Sequence, residues 1–274
     1  EFPQHEYAWK ILGAVLGVTG RKSEAVDAYQ TAVALSPQDA IVHCNFGVTL
    51  QELGRFDESE ASLRQAIALR PDATEAHNNL GTTLQKLGRL DEAETTLRQA
   101  IALRPNYATA YYNLGNTLRE LKRFDESEVI HMQAIALRPD YAEAHSSLGV
   151  TLKELGRFDE AETSLRQAIL LKPDLAGAHN NLGITLQELG RFKEAEASLR
   201  QTIALNPDSL GAWDNLLFML NYDPRLSSTE LYREYEAYGA FVSSKTVRGF
   251  DHSNRPSIAG RRIRVGYSSP DFRA

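Results

Sequence analysis

Residues 40–73 read AIVHCNFGVTLQELGRFDESEASLRQAIALRPDA, and the fold follows from how this stretch is punctuated. Val42, His43, Phe46, Gly47, Thr49, Leu50 and Leu53 recur at the i, i+3, i+4, i+7 spacing that gathers residues on one side of a helix. Ala40, Ile41, Cys44, Asn45, Val48, Gln51 and Glu52 fall on the other side. Leu53-Gly54-Arg55 then places a glycine where the helix must stop, because glycine enters the left-handed region without strain. Phe56-Asp57-Glu58-Ser59-Glu60 opens a second helix with acidic residues in its first turn, where the helix dipole favours them. Pro71 ends that helix, since it lacks an N–H and its ring clashes with the preceding turn. The stretch therefore predicts two helices joined by a sharp turn.

The same punctuation recurs along the chain. Pro37, Pro71, Pro105, Pro139, Pro173 and Pro207 are spaced by a fixed 34 residues. Gly13, Gly47, Gly81, Gly115, Gly149 and Gly183 keep this step, as do Gly20, Gly54, Gly88, Gly156 and Gly190, with Lys122 in the remaining slot. A hairpin of two short helices cannot bury its apolar face alone, so the copies must stack. The glycine at the eighth position of each copy leaves room for the partner helix to come close. Numbered from Glu6, the first copy carries Trp9, Leu12, Gly13, Ala25, Tyr29, Ala32 and Pro37, which resembles the tetratricopeptide repeat (TPR), with Leu16 where that pattern has Tyr. The resemblance spans residues 6–222. It implies an all-α, right-handed superhelical solenoid with repeats at 6–39, 40–73, 74–107, 108–141, 142–175 and 176–209 and a partial one at 210–222.

The seventh copy departs from the pattern, with Leu217 in place of the glycine and Asn221-Tyr222-Asp223-Pro224 interrupting it. Ser227-Ser228-Thr229-Glu230 reads as a helix start. The run to Val242, rich in Tyr232, Tyr235, Tyr238 and Phe241, reads as a capping or linker helix within 223–247.

Residues 245–274 hold seven basic and two acidic residues, a net +5, so the preceding 244 residues carry −11. An acidic body argues against nucleic acid as the main partner. No run approaches the roughly 18 apolar residues of a membrane span. The N-terminus, Glu1-Phe2-Pro3-Gln4-His5-Glu6, lacks the zones of a signal peptide, and the single Cys44 excludes an internal disulfide framework. A cytoplasmic location is the expectation.

In stacks of this kind the first helix of each copy lines the concave side. Five of the seven first helices carry asparagine at the sixth position: Asn45, Asn79, Asn113, Asn181 and Asn215, while Ile11 and Ser147 break the series. Asparagine is a mediocre helix former, so a mid-helix row of it is locally unfavourable. Its amide matches the C=O and N–H of an extended polypeptide. The row reads either as a peptide-binding ladder or as a set of inter-repeat structural hydrogen bonds. The fifth position, by contrast, varies through Lys10, Cys44, Asn78, Tyr112, Ser146, Asn180 and Asp214. Only Lys10 is basic there, unlike the co-chaperone type of repeat that clamps a C-terminal carboxylate. His43, His77, His145 and His179 share the fourth position with Trp9, Tyr111 and Trp213; one per copy on the packing side reads as packing rather than metal ligation. Residues 1–244 offer no nucleophile–base pair, paired catalytic carboxylates or phosphate loop.

Residues 261–274, RRIRVGYSSPDFRA, alternate Ile263, Val265 and Tyr267 with Arg264 and Gly266, a strand-like period in an otherwise helical chain. The arginines at its start could also be read as a nuclear signal or nucleic-acid patch. Following TPR copies and an aromatic linker helix, Arg262–Arg273 resembles the first strand of the catalytic region of the protein O-linked N-acetylglucosamine transferases. That resemblance implies a parent with a Rossmann-like glycosyltransferase domain beginning in 248–274 and using UDP-GlcNAc, and a repeat groove that holds substrate polypeptides extended through the five asparagines. It implies no catalytic residue, cofactor or metal in this chain itself. The alternative is a stand-alone adaptor. Extended polypeptides are the expected partners, without nucleic acid or membrane, and self-association through the tail or the solenoid surface is a further expectation. The strand-like tail is expected to pack on the 227–245 helix or on a neighbouring molecule, since a lone strand is unstable in water.

Overall fold

The computed structural model describes residues 5–245. Six helix pairs follow in order: α1 (Glu6–Val18) and α2 (Lys22–Leu35), α3 (Ala40–Glu52) and α4 (Phe56–Leu69), α5 (Thr74–Lys86) and α6 (Leu90–Leu103), α7 (Ala108–Glu120) and α8 (Phe124–Leu137), α9 (Ala142–Glu154) and α10 (Phe158–Leu171), α11 (Ala176–Glu188) and α12 (Phe192–Leu205). A seventh first helix, α13 (Leu210–Asn221), has no partner of the α2 kind before the unit ends at Arg225. No strand occurs among the described residues. The strand-like tail and its expected packing lie outside them.

Each turn between paired helices closes in the same way. At the end of α3, Gly54 N–H donates to Gln51 O (3.0 Å) and Arg55 N–H to Leu50 O (2.9 Å), the double bond pattern that satisfies the last carbonyls of a helix. Gly54 sits at φ +75° to permit it, and Lys122 takes the same conformation at φ +63° in the slot where the other copies have glycine. The second helices end one residue before proline, with Arg70, Arg104 and Arg138 at extended φ of −139° to −141°, as the residue preceding a proline must be.

The eighth-position glycines are where the paired helices touch. A Cβ at Gly47, Gly81, Gly149 or Gly183 would lie 2.5–2.6 Å from Cγ of Leu63, Leu97, Leu165 or Leu199 on the facing helix. Those leucines have no exposed surface, and with Leu50, Leu84, Leu114, Leu118 and Leu186 they form a core that runs the length of the stack. Ala40, which periodicity puts on the outward arc of α3, is buried, because the first turn of each such helix lies against the preceding pair.

Curvature follows from which helices are neighbours. The main chains of successive first helices (α1 and α3, α3 and α5, onward to α13) approach within 8 Å; no two successive second helices do, among the described residues. The first helices are therefore on the inside of the curve. Long side chains span the outside instead. Arg89, at the start of α6, bonds Glu92 of its own helix and reaches back to Glu60 on α4 at 2.7 Å. Arg123 with Glu94, Arg157 with Glu128 and Arg191 with Glu162 repeat the bridge. Burial works to raise the Glu60 carboxyl, but its bonds to Arg64 and Arg89 outweigh this and hold it below its ordinary value.

From Leu226 the chain forms a separate unit. It contains α14 (Ser228–Lys245), which begins with a capping box: Ser227 N–H donates to Glu230 Oε2 at 2.8 Å, and Glu230 N–H donates to Ser227 Oγ at 3.3 Å.

Candidate functional site: the inner groove

The solvent-facing stripe of each first helix lines the inner face of the stack. On α7, Thr109, Tyr112, Asn113, Asn116 and Arg119 are half-buried and Glu120 is exposed, while Ala110, Leu114, Gly115, Thr117 and Leu118 are buried behind them. The five sixth-position asparagines all lie half-buried on this inner stripe.

They are not equivalent. Asn113 Nδ2 donates to Asn78 Oδ1 of the preceding copy at 2.9 Å, and Asn215 Nδ2 donates to Asn180 Oδ1 at 2.9 Å. Asn79 Nδ2 reaches back in the same way to Cys44 Sγ at 4.0 Å, a weaker bond, and accepts from Asn78 at 3.2 Å. Asn45 lies within hydrogen-bonding reach of the Tyr29 hydroxyl. The Asn181 side chain has no partner among the described residues. Each bridge joins a sixth position to the fifth position of the copy before, so the amide is locked only where that residue can accept. In Asn113 and Asn215 the bond uses one N–H and leaves the second N–H and the Oδ1 without a protein partner.

A threonine one turn on fastens each ladder residue from behind. Thr49, Thr83, Thr117, Thr151 and Thr185 donate to the main-chain carbonyls of Asn45, Asn79, Asn113, Ser147 and Asn181 at 2.8–3.0 Å. The fourth-position histidines face inward, as their register implies. Nε2 of His43, His145 and His179 donates to the carbonyls of Pro37, Pro139 and Pro173 at 2.9–3.0 Å, tying each first helix to the loop that precedes it. His77 uses Nδ1 and bonds Ala73 O at 3.1 Å.

The fourth copy stands apart. His131 occupies the slot filled by leucine in the neighbouring copies and has no exposed surface. Its Nδ1 is 3.3 Å from Ser127 Oγ and 3.4 Å from Thr151 Oγ1. Both hydroxyls already donate to main-chain carbonyls, Gly115 O and Ser147 O, so Nδ1 carries the proton and Nε2 is left as an acceptor without a partner. Burial, with Arg119 nearby, pushes the imidazole down to about 3. Asn116 Oδ1 and Arg119 Nε on α7 are also buried without a partner. The 34-residue register marks this copy in the sequence, for it alone departs from pattern at His131, Met132 and Lys122 together.

The tetratricopeptide repeat family matches residues 38–106, 72–140, 106–172 and 140–208, and its single-repeat form matches 19–54. No curated protein matches. Among solved structures, the Cut9–Hcn1 hetero-tetramer of APC/C superposes with TM-score 0.73 at 20% identity, over 80% of this chain and 43% of that one. The chain thus spans less than half the length of that relative. A thermophilic TPR protein of Thermus thermophilus gives 0.60 at 26% identity over 67% of this chain and 100% of that one. YrrB, a TPR protein with an unusual peptide-binding site, gives 0.52 at 23% over 69% and 97%. With its helix pairs in a 34-residue register and family matches over most of its length, the chain belongs to the tetratricopeptide repeat family.

Proposed function

We propose that the inner groove binds extended polypeptide through its asparagine amides. The observation that carries this reading is the set of half-buried amides recurring once per copy, of which Asn113 and Asn215 are fixed by the copy before and still offer an acceptor and a donor. Main-chain recognition of this kind takes many sequences, because every peptide presents the same C=O and N–H. YrrB, which shares the fold, is a protein with a peptide-binding site. The Asn79, Asn113, Asn181→Ala triple variant tests the reading by calorimetry with unstructured peptides. Affinity should fall about 10-fold or more, as two or three hydrogen bonds of about 1 kcal/mol each are lost. Asn181→Ala alone, which breaks no bond among the described residues, should weaken binding without lowering the melting temperature. Unchanged affinity in both variants makes the row structural only.

A finer reading rests on Arg262–Arg273: the groove recruits substrates for a protein O-GlcNAc transferase-like parent with UDP-GlcNAc as donor. The parent reading frame past Ala274 tests it. A continuation alternating strands and helices supports recruitment, and a stop codon there leaves the adaptor.

A further inference from the structure

The middle of the groove is chemically unlike the rest. Tyr112, Asn116 and Arg119 lie one turn apart along the inner stripe of α7, the fourth of seven first helices, so their side chains are neighbours. Asn116 Oδ1 is a buried acceptor and Arg119 Nε a buried donor, and neither has a partner. Leaving such groups unpaired is costly, the more so for a charged one. The carboxylates around them are engaged elsewhere: Glu120 accepts from Gln85 Nε2 at 2.6 Å, and Glu154 pairs with Lys153 at 3.1 Å. Among the described residues no carboxylate pairs with Arg119, whereas arginines on the outer face are bridged repeatedly. Tyr112 is held in place by Tyr141 of the next copy, ring centroids 5.1 Å apart. In the slot of Arg119 the adjoining copies have Gln85 and Lys153, so this is a local basic spot in a body that carries −11 over residues 1–244.

We propose that Arg119, Asn116 and Tyr112 form an anion subsite that selects an acidic residue within a polypeptide lying in the groove. Arg119 Nε–H donates to the side-chain oxyanion of the bound residue, and Asn116 Oδ1 accepts a main-chain N–H beside it. Both orphaned groups are then satisfied by one residue, and Tyr112 bounds the subsite on the side toward α9. The oxyanion is a carboxylate of Asp or Glu or the phosphate of a phosphorylated side chain; both present oxygens that match a guanidinium. The inference deepens the groove reading and rests on it. It adds a selected chemistry at one copy to an otherwise main-chain-directed row.

The test uses fluorescence anisotropy on three labelled, unstructured peptides of Gly, Ser, Ala and Thr, alike except for a central Gln, Glu or phosphoserine. The wild-type chain should bind the Glu peptide, the phosphoserine peptide or both about 10-fold more tightly than the Gln peptide, as charge-assisted bonds add roughly a further 1.4 kcal/mol. Which of the two gains identifies the oxyanion. Arg119→Gln, which places there the residue of Gln85 and Gln187, should fold as wild type, keep the Gln-peptide affinity and lose the preference. Lys153→Gln should retain most of it, since Lys153 is already paired. Equal binding of all three peptides by the wild type overturns the subsite and leaves the groove reading standing. A preference that survives Arg119→Gln overturns it as well. Failure of every peptide to bind overturns both.

Discussion

A histidine without exposed surface settles its charge state when the chain folds. His131 is neutral inside the stack, with its titration moved down to about 3 from 6.5, because a buried imidazolium would lose its hydration and face Arg119. The sign follows. Between pH 6.5 and 3 the unfolded chain binds a proton at this site and the folded chain does not, so stability falls as pH falls through that window. From pH 7 to pH 5 the loss from this one group is about 2 kcal/mol, and pH 5 is well above the folded value, so the figure hardly depends on it. His131→Leu restores the residue of the neighbouring slots. Urea denaturation at pH 7 and pH 5 should show the variant losing about 2 kcal/mol less than wild type over that interval. Parallel profiles would mean that the imidazole is solvated in the folded state.

At the scale of helices, close approach decides which glycines are replaceable. Gly81 faces Leu97, whose Cγ would be 2.5 Å from an added Cβ, so Gly81→Ala must push α5 and α6 apart. Overpacking of this kind costs about 1–3 kcal/mol, against a gain of about 1 kcal/mol in helix propensity. Gly17 on α1 has nothing within 4 Å of its Cβ position, so Gly17→Ala should gain the propensity alone, about 0.5–1 kcal/mol. Denaturant midpoints shifting in opposite directions for the two variants would verify the contrast; a shared direction would refute it. This contrast also shows how far the sequence is legible. The 34-residue step in proline and glycine was enough for the helix pairs, their turns and the close contacts, because each depends on residues near in sequence. The bridges from Asn113 to Asn78 and from Arg89 to Glu60 depend on which helices become neighbours after stacking, so residue type alone left the asparagines open between two roles. Arg119 and Asn116 were hidden for another reason. A polar residue on a solvent-facing stripe looks ordinary until its surroundings are known, and only the geometry shows that their atoms are buried without partners.

In the solenoid as a whole, each helix pair touches only the pairs before and after it. Stability is then a sum of local and nearest-neighbour terms, and the two ends, having one neighbour each, are the weakest members. The first copy shows the deficit directly: Val15 on α1 is 53% exposed, whereas Thr49 and Thr83 in the same slot of the next copies are 6% and 0% exposed. Hydrogen exchange should therefore be fastest in α1 and slow toward α5–α9. A lesion in the middle separates this architecture from a globular core. Leu114 on α7 has no exposed surface, and Leu114→Ala should cost about 2–5 kcal/mol. In a single cooperative core that loss would lower protection at every amide that exchanges by global unfolding. In a stack it should fall on α5–α9, where the interfaces of the fourth copy lie, and leave α1–α3 and α12 nearly as they were. Exchange measured by mass spectrometry on wild type and Leu114→Ala distinguishes the two, and a uniform drop along the chain would mean that the copies do not unfold as separable units. A localised drop would also place the weakest joint of the damaged groove at the copy that carries Arg119. Peptides anchored there should lose affinity in Leu114→Ala while those held by the outer amides keep it.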